Sequence, residues 1–331
     1  MPNPEQAILG ELLNSESSWV SGAALAAKLG VSRVAVWHHM EKLREQGFKF
    51  EARRARGYRL LSPPEDLHAG LIDLQVKVRP RGFNLVLLDE VDSTNDEAAR
   101  QLSAGRPTPF AILARRQVKG RGRFGRQWHS ESNGNLYASF AFRPQLPPAD
   151  MATFTLWMGV NLCELIANFA RVAPGLKWPN DILFNGRKAG GMLTEARVDS
   201  DQIRDLVFGL GLNVNSPAGD WPGDLGDRAV SLSELTGARL DFNRLTAAIV
   251  GRVLLAYGSF VEGGHKAVLV EMWQRYDVLN GRRVTLFEGG RRLSGTMVGV
   301  DEDGALLLRD EHGRRQHFRA GEVTLEKESS R

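Results

Sequence analysis

The 331-residue chain has a single cysteine, Cys163, so no disulfide can form within it. With no second Cys and no His at ligand spacing, neither a structural metal site nor a thiol nucleophile is expected there, and its amphipathic helical surroundings make it a core residue. No apolar run approaches the roughly 20 residues that a bilayer-crossing helix needs, so no membrane span is expected. The N-terminus, MPNPEQAILGELLN, lacks the positive start and small-residue cleavage site of a secretory signal. These absences point to a reducing, cytoplasmic setting. Internal repeats and low-complexity segments are missing as well.

With 42% hydrophobic and 25% charged residues, the composition is that of globular protein, and the length suits two or three cores. The net charge of +4 is modest, but its placement is uneven: residues 115 to 126 hold six Lys or Arg and no acid. Glycines interleave with those cations, which a plain solvated face would not require.

Residues 5 to 13 place Ile8, Leu9, Leu12 and Leu13 at helical spacing, and a short helix carrying Leu25 and Leu29 follows, ended by Gly30. Ser32 is suited to cap the next helix, in which Val36, Met40 and Leu43 form one buried stripe before Gly47. The opposite face carries Arg33, Val34, Trp37, His38 and Glu41, the mix of basic, apolar and aromatic groups that a DNA recognition helix presents. Ser32, Arg33, Val34, Trp37 and His38 are therefore the candidate DNA-binding residues. Phe48 to Leu61 looks two-stranded with RRARG at its turn, a basic wing suited to phosphate. A three-helix protein-interaction module is the alternative, because nine Lys or Arg against six Asp or Glu in residues 1 to 62 is only a moderate excess.

Ser62-Pro63-Pro64-Glu65-Asp66 reads as a stiff connection. The expected organisation is a winged helix-turn-helix over 1–62, a linker over 63–66, a catalytic domain over 67–280 and a small β domain over 281–331. In the third, strand-like runs Phe83–Leu88, Phe110–Ala114 and Leu136–Phe142 alternate with helical patterns at 95–102 and 151–170, as in a sheet covered by helices. From about Gly281, short strands surround EGG, DEDG and EHG turns.

Four segments carry chemistry. Asp92-Ser93-Thr94-Asn95 sits between a strand and a helix; Thr94 with Glu97 fits a capping box, and the same hydroxyls and free amides suit a small polar ring. Gln117-Val118-Lys119-Gly120-Arg121-Gly122-Arg123-Phe124-Gly125-Arg126 formally matches G-x-G-x-x-G, but no helix begins inside its glycines, so a dinucleotide fold is rejected. Alternating glycine and arginine instead suits a mobile loop that approaches and neutralises phosphates, or a nucleic-acid contact.

Lys177-Trp178-Pro179-Asn180-Asp181 leads into a hairpin at Asn185-Gly186, whose two-residue type I′ turn sets Phe184 opposite Arg187, Leu183 opposite Lys188 and Asp181 opposite Gly190. Asp181 and Lys188 then share a face as diagonal neighbours about 7–8 Å apart. The acid suits Mg²⁺ or a ribose and the lysine a substrate carboxylate or phosphate, unless the two form a plain surface ion pair. Gly209-Leu210-Gly211-Leu212-Asn213-Val214-Asn215 reads as a buried strand ending in amides that either bind adenine or ribose or make a turn.

Taken in order, DSTN (92–95), QVKGRGRFGRQW (117–128), KWPND (177–181), RKAGGMLTE (187–195) and GLGLNVN (209–215) closely resemble the biotin–protein ligases over nearly the whole chain. LAAKLGVSRVAVWHHMEKLREQGF and RGYRL further resemble the bifunctional subgroup that doubles as biotin operon repressors. A lipoate–protein ligase lacks the GRGRFGR loop and the N-terminal domain. A pure sensor-repressor is expected to have lost Arg123, Asp181 or Lys188, all of which are present. The resemblance implies an α+β multidomain protein with a winged helix-turn-helix, a class II aminoacyl-tRNA-synthetase-like mixed sheet with helices, and a C-terminal SH3-like small β barrel.

The resemblance also implies the chemistry. Biotin and ATP, accompanied by Mg²⁺ and with no resident metal site, form biotinyl-5′-AMP, which a lysine of the biotin carboxyl carrier protein of acetyl-CoA carboxylase then attacks. By motif position Ser93, Thr94, Asn95 and Gln117 bind biotin, while Arg121, Gly122 and Arg123 close over biotin and adenylate. Lys188 meets carboxylate and phosphate, and Asp181 and Asn213 serve the catalytic and nucleotide side; Arg123, Lys188 and Asp181 are the catalytic candidates. Bound biotinyl-5′-AMP is implied as corepressor, promoting a homodimer that places two recognition helices on operator DNA. The alternative is a ligase whose DNA-binding domain is vestigial and does not repress.

Overall fold

The computed structural model describes residues 3–15, 18–130, 134–219, 221–223 and 225–325. They divide into two compact units, one reaching to Lys77 and including Asp241–Ala247, the other comprising Val78–Leu240 and Ala248 onward.

The first unit contains helices α1 (Pro4–Asn14), α2 (Gly22–Leu29) and α3 (Arg33–Glu45), strands β1 (Lys49–Arg53) and β2 (Gly57–Ser62), and α4 (Ala69–Gln75). Each of the first three helices starts where a side chain takes up a free first-turn amide: Asn3 accepts from Glu5, Ser21 from Ala23 and Ser32 from Ala35. The stripe Val36, Met40 and Leu43 is buried against Ile8, Leu9, Leu12, Leu25, Phe48, Leu60 and Leu71. Each such side chain contributes about 1.5–3 kcal/mol on leaving water. β1 and β2 pair antiparallel with residues 54–56 at the turn, as the RRARG segment predicts.

Residues 63–66 carry no helix or strand, and the first unit continues beyond them through α4. Buried Asn243 fastens this stretch: its Nδ2 donates to the carbonyls of Pro64 and Asp66, and its Oδ1 accepts from the His68 amide. A polar side chain with all these partners tolerates full burial.

The second unit opens with β3 (Asn84–Val91), α5 (Thr94–Ser103), β4 (Phe110–Gln117), β5 (Leu136–Phe142) and α6 (Phe154–Ala170). β6 (Gly175–Lys177), β7 (Asp181–Phe184), β8 (Arg187–Asp199), β9 (Gln202–Leu212), α7 (Leu225–Arg228), α8 (Leu232–Thr236), α9 (Phe242–Val261) and α10 (Leu269–Tyr276) follow, the first turn of α9 belonging to the first unit. Seven strands form a sheet in the order β3-β4-β5-β9-β8-β7-β6; β3 and β4 are parallel and every other pair is antiparallel, which makes the sheet mixed. Every residue of β5 is buried, as befits a central strand covered on both faces.

Cys163 lies wholly inside α6, and burial pushes its thiol far above the usual range, so it is an inert core residue. By length and composition α9 would suffice to cross a membrane, yet 56% of that stretch is buried within the protein, and Ala256 accepts a hydrogen bond from the Trp157 indole. The remainder is β10 (Arg283–Glu288), β11 (Arg291–Val300), β12 (Leu306–Arg309), β13 (Arg315–Phe318) and β14 (Glu322–Leu325), an antiparallel sheet in the order β13-β12-β11-β10-β14 whose turns fall at EGG, DEDG and EHG.

Candidate active site

A cavity of about 990 Å³ opens on the seven-stranded sheet, and its lining draws on all four of the chemistry-bearing segments. Ser93, Thr94, Asn95, Gln117, Arg121, Gly122, Arg123, Asp181, Lys188 and Asn213 all reach it, so residues separated by up to 120 positions meet in one place.

One end is uncharged and dense in hydrogen-bonding groups. The Thr94 amide and hydroxyl both donate to Gln117 Oε1, at 2.8 and 3.0 Å. Ser139 Oγ stands 2.8 Å from Thr94 Oγ1 and 2.6 Å from Asn95 Oδ1, and its one proton serves one of them at a time. The expected capping box between Thr94 and Glu97 does not form. Ser93, one residue earlier, occupies the cap position, leaving Thr94 inside the first turn where Gln117 takes its amide, while Glu97 pairs with Arg100 and Gln101. Asp92 does not line the cavity. Its carboxylate is gripped by both terminal nitrogens of Arg100, whose hydrogen bonds foremost hold it down at about 2, so the acid of DSTN braces the helix start.

The glycine-arginine segment is a small hairpin. Arg121 pairs with Gln127, the Gly122 amide donates to Arg126, and the Trp128 amide donates to Gly120. At its tip Phe124 is 69% exposed with φ of 57°. Arg123 turns inward instead: Nη1 is 3.4 Å from Asn180 Oδ1, Nη2 donates to the Gly321 carbonyl at 3.2 Å, and the guanidinium stacks on Phe124. Burial lowers its pKa, with Asp181 and Glu322 opposing. Arg126 pairs with Glu322, so the Gly321-Glu322 step at the start of β14 touches this hairpin at two points.

The opposite end is cationic. Asn185 and Gly186 both have positive φ, as the type I′ turn demands, and Phe184 and Leu183 face Arg187 and Lys188 as expected. Beyond them the predicted register fails by one: a bulge at Ala189 sets Asp181 opposite Gly191, not Gly190. Lys188 and Asp181 still meet as an ion pair, with Lys188 Nζ 2.6 Å from Asp181 Oδ1. Asn213 donates from Nδ2 to the carbonyls of Lys188 and Val230, while its amide donates to Ala189, so its side chain braces the hairpin base at the cavity edge.

Several lining residues escaped the sequence reading. Lys177 sits beside Asp181 and Lys188, and burial lowers its pKa. The Trp128 indole N–H is buried with no partner, and Lys188 Nζ lies 5.2 Å from its ring centre. Glu195 and Ser139 act on the lining side chains from neighbouring strands. The tryptophan and lysine of the quoted motifs were the only available signal; Ser139 stands in an apolar strand and gives none. Trp178, by contrast, is buried, and its indole donates to the Gly304 carbonyl at 3.2 Å.

Residues 87–213 match the Biotin/lipoate A/B protein ligase family, residues 5–59 an HTH domain, and residues 280–325 the Biotin protein ligase C terminal domain. Over 312 residues the chain is 33% identical to the bifunctional ligase/repressor BirA of Bacillus subtilis (strain 168), covering 92% of this chain and 93% of that one. This chain belongs to the biotin–protein ligase family. Another member, the bifunctional ligase/repressor BirA of Escherichia coli (strain K12), is 30% identical over 308 residues, 92% of each chain. Among solved structures, the family's biotin protein ligase from Aquifex aeolicus in complex with biotin and ATP is similar at a TM-score of 0.63 and 30% identity, over 74% of this chain and 99% of that one.

The candidate DNA-binding residues lie together on α3, apart from any role in its core. Arg33, Val34, Trp37 and His38 are exposed, Val34 and Trp37 at 64% and 49%, and Ser32 caps the helix. Two exposed apolar side chains beside basic ones on one helix face ask for a partner surface.

Proposed function

We propose that this protein is an ATP-dependent biotin–[acetyl-CoA-carboxylase] ligase that also represses transcription of biotin synthesis genes. The observation that carries the ligase reading is the polarity of the cavity: a hydroxyl- and amide-lined end at Thr94, Asn95 and Gln117 faces a cationic end at Lys188, Lys177 and Arg123. Biotin has the same polarity, a neutral ureido ring at one end and a carboxylate at the other.

In the first step a biotin carboxylate oxygen bonds to the α-phosphorus of ATP and pyrophosphate leaves, giving biotinyl-5′-AMP. In the second, the amine of a carrier-protein lysine bonds to the acyl carbon and AMP leaves with the electron pair. No protein nucleophile is needed, because positioning and charge neutralisation lower both barriers. Lys188 brings the carboxylate and the α-phosphate together, Arg123 retains the adenylate, and Asp181 holds Lys188 in place until the phosphates arrive. Ser93, Thr94, Asn95 and Gln117 hold the ureido ring, Arg121 and Gly122 cover it, and Asn213 shapes the nucleotide end. Mg²⁺ enters as a partner of the ATP phosphates. Of the carboxylates that line the cavity, Asp181, Asp227 and Glu322, Asp181 is the one paired with Lys188 and would assist the metal, and no group of three metal-ligating side chains occurs among the described residues.

The fold is read as a synthetase-like catalytic sheet with an SH3-like C-terminal barrel, divided at 62, 66 and 280 as the sequence suggests, in a cytoplasmic protein. Bound biotinyl-5′-AMP acts as corepressor through a homodimer on operator DNA; the exposed Val34 and Trp37 favour repression over a vestigial domain. The test is transfer of labelled biotin to a carrier domain. Label on one lysine, dependent on ATP and Mg²⁺, is expected; folded protein that transfers none would overturn the ligase reading.

A further inference from the structure

Glu195 stands on β8 opposite Val207 of β9, where the neutral end of the cavity meets the glycine-arginine hairpin. Its carboxylate accepts three hydrogen bonds from two side chains. Arg121 donates from Nη1 to Oε1 at 2.9 Å and from Nη2 to Oε2 at 2.8 Å, and Asn95 Nδ2 donates to Oε2 at 2.7 Å. Glu195 is 39% exposed, and an ion pair that open to water contributes little to folding by itself. A bidentate arginine clamp, however, fixes direction as well as distance.

Both groups it holds have little other support. Asn95 meets Ser139 Oγ through Oδ1, and without Glu195 its Nδ2 keeps only the 3.3 Å contact to the Leu193 carbonyl. Arg121 would keep only Asp96, at 2.7 Å from Nη2. Arg121 lies on the hairpin stem, paired with Gln127 and two residues before Arg123. Its charge is balanced by two acids, so it does not compete with Arg123 and Lys188 for phosphate.

We propose that Glu195 is a positioning residue that couples the biotin-binding end of the cavity to the stem of the glycine-arginine hairpin, holding Asn95 and Arg121 in one fixed arrangement. The proposal rests on the ligase reading and adds to it the device that sets biotin affinity. Asp96 still pairs with Arg121 when Glu195 is lost, so the loss acts on biotin and spares ATP.

The test is steady-state kinetics of biotin-dependent ATP–pyrophosphate exchange in the full chain, comparing wild type with Glu195→Ala, Glu195→Gln, Arg121→Ala and the double variant Arg121→Ala/Glu195→Ala. Glu195→Ala is expected to raise the KM for biotin about tenfold while the KM for ATP stays within about twofold. Glu195→Gln keeps an acceptor for Asn95 and should fall between. In the Arg121→Ala background the further rise should shrink to about threefold or less, since residues of one network are not additive. An unchanged biotin KM, equal rises for both substrates, or a simple loss of active protein at unchanged KM would overturn the proposal; Glu195→Gln, the same shape, answers if the alanine variant does not fold. Wild type without exchange would instead remove the ligase reading, and this inference with it.

Discussion

Two glycine-rich segments meet at the cavity, and the tip of one uses glycine in the opposite way to the strand of the other. At the tip of GRGRFG, Gly125 has φ of 72° and nothing within 4 Å of where a Cβ would stand, so backbone conformation is the reason for glycine there, whereas Gly120 at the stem, where a Cβ would lie 2.4 Å from Ser130 Oγ, is glycine for want of space. In GLGLNVN the backbone is ordinary strand and space is the reason. A Cβ on Gly209 would lie 2.2 Å from Asn95 Oδ1, and one on Gly211 would lie 2.6 Å from the Trp128 ring. The first segment shapes a hairpin beside the cavity; the second clears room for the side chains that line it. Similar composition thus hides a difference that only the neighbours reveal.

That difference predicts a graded response to a single added methyl group. Gly209→Ala should be the most damaging, because Asn95 is buried and must leave its place. Overpacking of this kind costs about 1–3 kcal/mol, and the biotin KM should rise at least about tenfold. Gly211→Ala pushes on the Trp128 ring, which lines the cavity and makes no hydrogen bond through its indole N–H, so a smaller rise in KM is expected, with a change in Trp128 fluorescence as its signature. Gly125→Ala meets no neighbour and adds only the cost of a left-handed residue, about 1–2 kcal/mol, shared between free and bound enzyme. Its KM for biotin should stay within about threefold of wild type, with thermal stability slightly lowered. If Gly125→Ala proved worse than Gly209→Ala in the same kinetic assay, the contrast would be reversed.

The same contrast explains what could be read before the structure. Local rules sufficed where neighbours in sequence decide the outcome: the Ser32 cap, the Val36-Met40-Leu43 stripe with Trp37 on the outer face, and the Asn185-Gly186 turn. They failed where a distant group intervened. Gln117, 23 positions away, takes the Thr94 amide and displaces the capping box. The bulge at Ala189 alters the Asp181 register, and nothing in RKAGG distinguishes a regular ladder from a bulged one. Glu195, the last residue of RKAGGMLTE, gave no signal of its own, because its partners Asn95 and Arg121 lie 100 and 74 positions away.

The central claim is that Lys188, held by Asp181, brings the biotin carboxylate to the α-phosphate of ATP. The most direct measurement is to incubate the full chain with labelled biotin, ATP and Mg²⁺, then quantify protein-bound biotinyl-5′-AMP in wild type and Lys188→Ala. Wild type should retain about one adenylate per chain, and the variant should form it at least about a hundredfold more slowly, the usual loss when one charge-stabilising group is removed. Adenylate formed at the wild-type rate by a folded Lys188→Ala protein would contradict the account.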